Sequence, residues 1–201
     1  MDLAEARGAG GAKFKGLVLV NARDFCRDRF GPSGWDRVID ALPTADRAVI
    51  AGVVQVGWYD LALYDRVHET IEVVHGRDAS SIMTELGHYC AERDLTTVHR
   101  LFLRMASVGF VLGKYGEYWR RYQDSGEWTV STEGPRRVRG TLSGWGSTSE
   151  ATCARLAAYV ERFCELCGAK GARVTRARCR TRGDRVCEYL IEWRGGLGIT
   201  S

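Results

Sequence analysis

Proline is scarce, at 3 of 201 residues, and with 45% apolar and 27% charged residues this excludes a fibrous or disordered chain and fits a core-forming globular one. Long hydrophobic runs are missing as well. The stretch from Ala48 to Tyr59 is too short to cross a bilayer and no signal peptide opens the chain, so the expectation is a soluble, cytoplasmic protein with no transmembrane segment. Cysteine is too sparse for a disulfide scaffold: seven thiols, an odd number, read as reduced groups in a reducing compartment. Catalytic signatures are absent too. There is no Gly-x-Ser-x-Gly elbow, no His-Glu-x-x-His and no dinucleotide fingerprint. Gly8, Gly10 and Gly11 before Lys13 do not make a phosphate loop, because Phe14 follows the lysine. The chain reads as a non-enzyme.

What is present falls into two patterns. Residues 1–12 form a loose Gly-rich arm, 13–195 a single domain with a helical part (13–123) and a sheet part (124–195), and 196–201 a tail. In the helical part Phe14, Leu17, Val18 and Phe25, then Trp35, Val38, Ile39 and Leu42, recur at three- and four-residue steps. A longer helix is expected from Asp60 to Val74. Asp78 and Asp94 can cap two more, the second carrying Val98, His99, Phe102 and Met105, and a sixth holds Phe110 to Tyr122. After Gly126 the period changes. Strands at Glu127–Ser131 and Arg136–Leu142, a helix at Ser149–Cys167, and strands at Ala172–Arg182 and Arg185–Trp193 give a β-hairpin-α-β-hairpin unit. The fold class is α/β (α+β), a helical layer packed with a four-stranded antiparallel sheet.

In the last hairpin a strict alternation puts Val174, Arg176, Arg178, Arg180 and Arg182 on the outer face and Thr175, Ala177, Cys179 and Thr181 inward. A three-residue loop then sets Arg178 opposite Glu188 and Cys179 opposite Cys187.

Trp119-x-x-Tyr122-x-x-x-Gly126, the following hairpin and helix, and Cys179-x7-Cys187 ahead of a strand ending at Trp193 resemble the 4-vinyl-reductase-type small-molecule-binding domain. Phe14-Lys15-Gly16-Leu17, Phe25, Phe30-Gly31 and Trp35 resemble the opening of haem nitric-oxide-binding domains, which share that wider fold. A myxobacterial family of unknown function is similar from Phe14 to Trp193. The resemblance implies a buried pocket and a non-enzymatic sensor or adaptor role in bacterial signalling. A homodimer and a protein signalling partner go with it. The alternative is an interaction scaffold whose pocket its own side chains fill.

For the pocket, the candidates are Trp58, Tyr59, His99, Phe102, Tyr115, Trp119, Trp128 and Trp145, flat apolar walls with a few polar handles for an apolar, aromatic or lipid-like ligand. No cofactor is favoured. Phenol-sensing relatives hold zinc with three Cys and one Glu, and Cys153, Cys179 and Cys187 fall at matching spacing; Arg176 stands where the carboxylate is expected, so a zinc site here would need Cys164, Cys167 or another group to close it. A redox role for Cys164-x-x-Cys167 is disfavoured at a helix C-terminus, where the dipole opposes a thiolate. His99 lies where haem nitric-oxide-binding domains carry the iron ligand, but the Tyr-x-Ser-x-Arg run that clamps haem propionates is missing, and on that ground haem is set aside.

Charge is unevenly spread. From Pro135 to Arg194 there are 13 Lys and Arg against 6 Asp and Glu, a local +7 that leaves −3 for the rest of a +4 chain. Arg176, Arg178, Arg180 and Arg182 form the candidate partner surface. Nucleic acid is disfavoured, since Glu188 and Glu192 neighbour the arginines and no DNA-binding pattern accompanies them.

Overall fold

The computed structural model of the chain describes residues 11–76, 79–95 and 108–195. The predicted helix with His99 and Phe102, the Asp78 cap, most of the N-terminal arm and the tail lie outside them. Strand β1 (Lys13–Lys15) leads into α1 (Leu17–Phe30), α2 (Ser33–Ala41) and α3 (Thr44–Ala51). Strand β2 (Trp58–Asp60) follows, then α4 (Leu61–His75) and α5 (Ala79–Asp94). After two short helices, α6 (Val108–Gly113) and α7 (Tyr115–Trp119), come β3 (Glu127–Gly134) and β4 (Arg137–Ser143), then α8 (Glu150–Leu166), β5 (Arg173–Arg178) and β6 (Cys187–Glu192).

The expected α+β architecture is present, with the four-stranded antiparallel sheet in the order β3-β4-β6-β5. A second, two-stranded sheet joins β1 to β2, with Phe14 opposite Tyr59. Phe14 is therefore in a strand, where the periodicity predicts a helix. Its ring is fully buried against Tyr64, 4.8 Å between centroids, and this contact outweighs a local helical pattern. The sixth predicted helix is broken into α6 and α7 at Lys114.

Two close approaches fix the layers. Helix α8 packs along α5 and also touches α4 and β5. The α5–α8 contact needs a bare backbone: a Cβ on Gly87 would lie 2.5 Å from the Arg155 carbonyl oxygen and 2.7 Å from the Ala158 side chain. Within the sheet the Trp128 ring crosses Gly140, where a Cβ would come within 2.4 Å of it. Val138, Gly140 and Leu142 of β4 and Cys187, Tyr189 and Ile191 of β6 alternate inward as period two requires.

Strand β5 departs from its predicted alternation. Arg178 does pair with Glu188, but a bulge between Arg176 and Arg178 shifts the parity, so Val174 and Arg176 turn inward and Ala177 outward. The strand ends at Arg178, and Arg180–Arg182 form a 3-10 turn. The four arginines consequently do not share one sheet face. Among the described residues no helix is long and apolar enough to cross a membrane.

Candidate functional site

Helix α8 starts at a capped end, where the Ser149 hydroxyl accepts from the Thr152 N–H. Its inward stripe runs Thr152, Arg155, Leu156, Tyr159 and Phe163, at helical spacing. Arg155 occupies an apolar position in that stripe. It is 7% exposed, its Nε has no hydrogen-bond partner, and it forms no ion pair among the described residues. Its guanidinium carbon lies 5.6 Å from the Tyr64 ring centre and 5.5 Å from that of Tyr159, so aromatic faces stand in for a counter-ion.

Arg155 lines a cavity of about 40 Å³ with Asn21, Asp94, Tyr115, Trp119 and Gln123. A second cavity of about 370 Å³ shares Asp94, Tyr115, Tyr118 and Tyr122 with it and extends to Leu95, Val111 and Phe163. Its volume is in the range of small-molecule pockets, about 300–1,000 Å³. Asp94, the last residue of α5, accepts from Asn21 Nδ2 (2.8 Å) and from the Tyr159 hydroxyl (3.1 Å). With the Tyr159 proton given to Asp94, the Tyr118 hydroxyl, 3.1 Å away, donates to Tyr159. Burial raises the Asp94 carboxyl above its usual range. It also raises the phenols of Tyr115, Tyr118 and Tyr159, which are hydrogen-bond donors at neutral pH.

Of the pocket residues expected from the sequence, Tyr115 and Trp119 line this space. Trp128 packs behind them, 4.9 Å from Tyr115, and Trp145 meets Trp119 edge-on at 5.3 Å while its Nε1 donates to Gln123. Trp58 and Tyr59 are elsewhere: Trp58 is 41% exposed beneath the Lys15 ammonium, and the Tyr59 hydroxyl accepts from the Val54 N–H. His99 and Phe102 lie outside the described residues. Asn21, Asp94, Tyr118, Gln123 and Arg155 were not expected. Only Arg155 carries a sequence signal, a cation at an inward helical position.

The three other histidines are committed. His68 is buried with Nδ1 3.1 Å from the Thr152 hydroxyl, which itself donates to Asp65 at 2.8 Å; His68 Nδ1 therefore carries the proton. His75 stacks on Phe30 and donates to the Gly34 carbonyl at 2.8 Å, and His88 Nε2 lies 3.7 Å from Glu161.

The Sγ atoms of Cys153, Cys179 and Cys187, all buried, lie within 4.8 Å of one another, and those of Cys179 and Cys187 are 4.0 Å apart, on the same side of the sheet as expected. Hydrogen bonding from Cys153 lowers the Cys187 thiol pKa, with the Arg180 backbone N–H adding to it. Arg176 is near enough to interact electrostatically with Cys179 and Cys153, and its Nη1 is 2.5 Å from Glu150 Oε1. Cys164 and Cys167 do not complete the cluster, since Cys164 is 11 positions further along α8, about 16 Å by helix rise. The described donors thus do not fit a closed four-ligand zinc site. The remaining arginines of the expected partner surface are also engaged. Arg178 pairs with Glu188 at 3.4 Å, Arg180 donates to the Trp145 carbonyl, and Arg182 donates to the Arg176 carbonyl at 3.1 Å.

Solved structures of the same architecture exist. An H-NOX protein from S. oneidensis in the Fe(II) ligation state superposes with a TM-score of 0.69 at 13% identity, covering 90% of this chain and 97% of that one. The Fe(II) unliganded H-NOX protein from K. algicida gives 0.66 at 10% identity, covering 92% and 100%. The fold is H-NOX-like. A third H-NOX-family structure, from work on haem distortion, gives 0.65 at 11% identity over 93% and 98%. No protein-family model matches the sequence, and no curated protein does. The H-NOX neighbours overturn the expectation that sets haem aside, since chains of this fold are described by their iron state and by haem. That expectation rested on a missing cationic clamp. Arg155 supplies the cavity with a buried cation from helix α8 instead.

Proposed function

We propose that this chain is a non-enzymatic small-molecule sensor domain whose ligand occupies the paired cavities between α1, α5, α7 and α8. The observation that carries the reading is Arg155, a buried guanidinium with an unpartnered Nε on the wall of a cavity that phenols and an indole share with Asn21, Asp94 and Gln123. A core meant only to be filled gains nothing from an unpaired charge, which costs several kcal/mol to desolvate. This favours the sensor over the filled scaffold.

Haem is the first occupant to consider, because the neighbours' names put it forward. The donor set fits its edge: Arg155 and the cavity phenols would meet its carboxylates. With His68, His75 and His88 engaged elsewhere, His99 is the imidazole left to ligate iron, in the stretch between Leu95 and Val111, both of which line the larger cavity. When bound, haem supplies an iron centre able to take a diatomic ligand. The chain's own part is to hold the carboxylates, exclude water with Trp119 and Tyr115, and pass the change through α8 to the sheet. The output is a change in contact with a protein partner, and the unit is a cytoplasmic homodimer.

Native mass spectrometry with absorbance on the same purified sample tests this. Co-purified small molecule, or a Soret band that appears with hemin and is lost in His99→Ala, supports the reading. An empty protein that takes up neither hemin nor any aromatic probe overturns it. Sedimentation analysis checks the dimer.

A further inference from the structure

Arg155 has a feature that the sensor reading leaves open: its charge is permanent, it is almost wholly buried, its Nε is unpartnered, and it forms no ion pair among the described residues, Asp94 acting on it only through space. The rings of Tyr64 and Tyr159 hold the guanidinium in place without using its N–H groups on an anion. Asp94, the one acid lining the same cavity, is already served by Asn21 and Tyr159. Arg121 lines the larger cavity together with Lys114 and Glu117, which pair with each other at 2.8 Å, so Arg121 adds a second positive charge on the way in. The walls between are flat aromatic surfaces, Tyr115, Tyr118 and Trp119.

Resting on the sensor reading of this cavity, we infer that its ligand is a flat aromatic acid, with Arg155 as the carboxylate receptor. A carboxylate beside Arg155 completes a charge-assisted pair in a site already shielded from water. The Asp94 end accepts a ligand hydroxyl, which gives the bound molecule a direction. Arg155 acts here as a binding residue.

The test compares two probes with one ring system, 2-naphthoate and 2-naphthalenemethanol, by titration calorimetry against the full chain. The wild type is expected to bind the acid at least about tenfold more tightly than the alcohol, the worth of one charged hydrogen bond. Arg155→Met is expected to lose that preference while keeping the alcohol affinity, and Arg155→Lys to recover part of it. Should Arg155→Met not fold, the acid-to-alcohol ratio of the wild type decides alone. Equal binding of acid and alcohol overturns the inference and leaves the sensor reading standing; binding of neither, with no uptake of hemin, overturns both. Because haem also carries carboxylates, a hemin titration followed at the Soret band identifies the source of the acid: hemin binding weakened tenfold by Arg155→Met supports the receptor role with haem, and unweakened hemin binding together with equal naphthyl affinities overturns it.

Discussion

At the scale of single residues, Arg155 and His68 sit side by side in the core and make opposite demands on it. Replacing an unpaired buried cation by an apolar side chain of similar length removes a desolvation cost, and losing two cation–π contacts offsets part of the gain. Arg155→Met is expected to stabilise the ligand-free protein by about 1–3 kcal/mol in urea unfolding, at the expense of acid binding. His68 is held neutral: burial first, and then the Arg155 charge, depress its pKa well below 6.5. The unfolded chain takes up a proton at His68 below pH 6.5 and the folded one does not. Stability therefore falls as pH drops through that value, by up to about 1.4 kcal/mol per pH unit from this group. Urea midpoints measured between pH 7 and pH 5 should show that slope, and His68→Gln should flatten it; an unchanged slope would place the acid sensitivity elsewhere. Neither residue's role is readable from its type. Arg155 is legible only as a breach of the helical stripe, and the tautomer of His68 depends on Asp65 and Thr152, the second of them 84 positions away.

At the scale of elements, α5 and α8 approach over Gly87, and the β5–β6 hairpin carries the thiols. Gly87→Ala drives a methyl into the α8 backbone, so a loss of about 1–3 kcal/mol is expected, with a lower melting temperature as the readout. The thiol cluster offers three ligand atoms among the described residues, and the cations beside it are Arg180, next to Cys187, and Arg176, next to Cys153 and Cys179. Treatment with EDTA under reducing conditions is accordingly expected to leave the melting temperature unchanged; a fall of several degrees would show a structural metal. The sequence pattern places β3, β4, α8 and β6 within a few residues, because each has a clean period or a cap. It misplaces Phe14 and the β5 faces. A three-residue strand leaves no periodicity to read, and the bulge between Arg176 and Arg178 reverses the faces of Val174 to Ala177 relative to an unbroken alternation through Arg178.

At the scale of the whole molecule, the smaller cavity draws its walls from α1, α5, α7 and α8, so a ligand there ties the helical part to the helix that covers the sheet. Such a ligand stabilises both together. At a hundred times its dissociation constant, 2-naphthoate is expected to contribute about 2.7 kcal/mol, raising a single melting transition by about 5–10 °C in calorimetry. Two separate transitions would show that the parts melt independently. The sequence by itself determined the class of fold, the order of the elements from β3 to β6 and the pairing of Arg178 with Glu188, since periodicity, caps and turns are local and each is written within a few residues. It also brought Cys153, Cys179 and Cys187 to notice through their spacing. Only the tertiary structure decided which polar groups meet inside. Asn21, Asp94, Gln123 and Arg155 come from four separate stretches of chain, and whether a buried charge finds a partner is settled by packing, which no local pattern records.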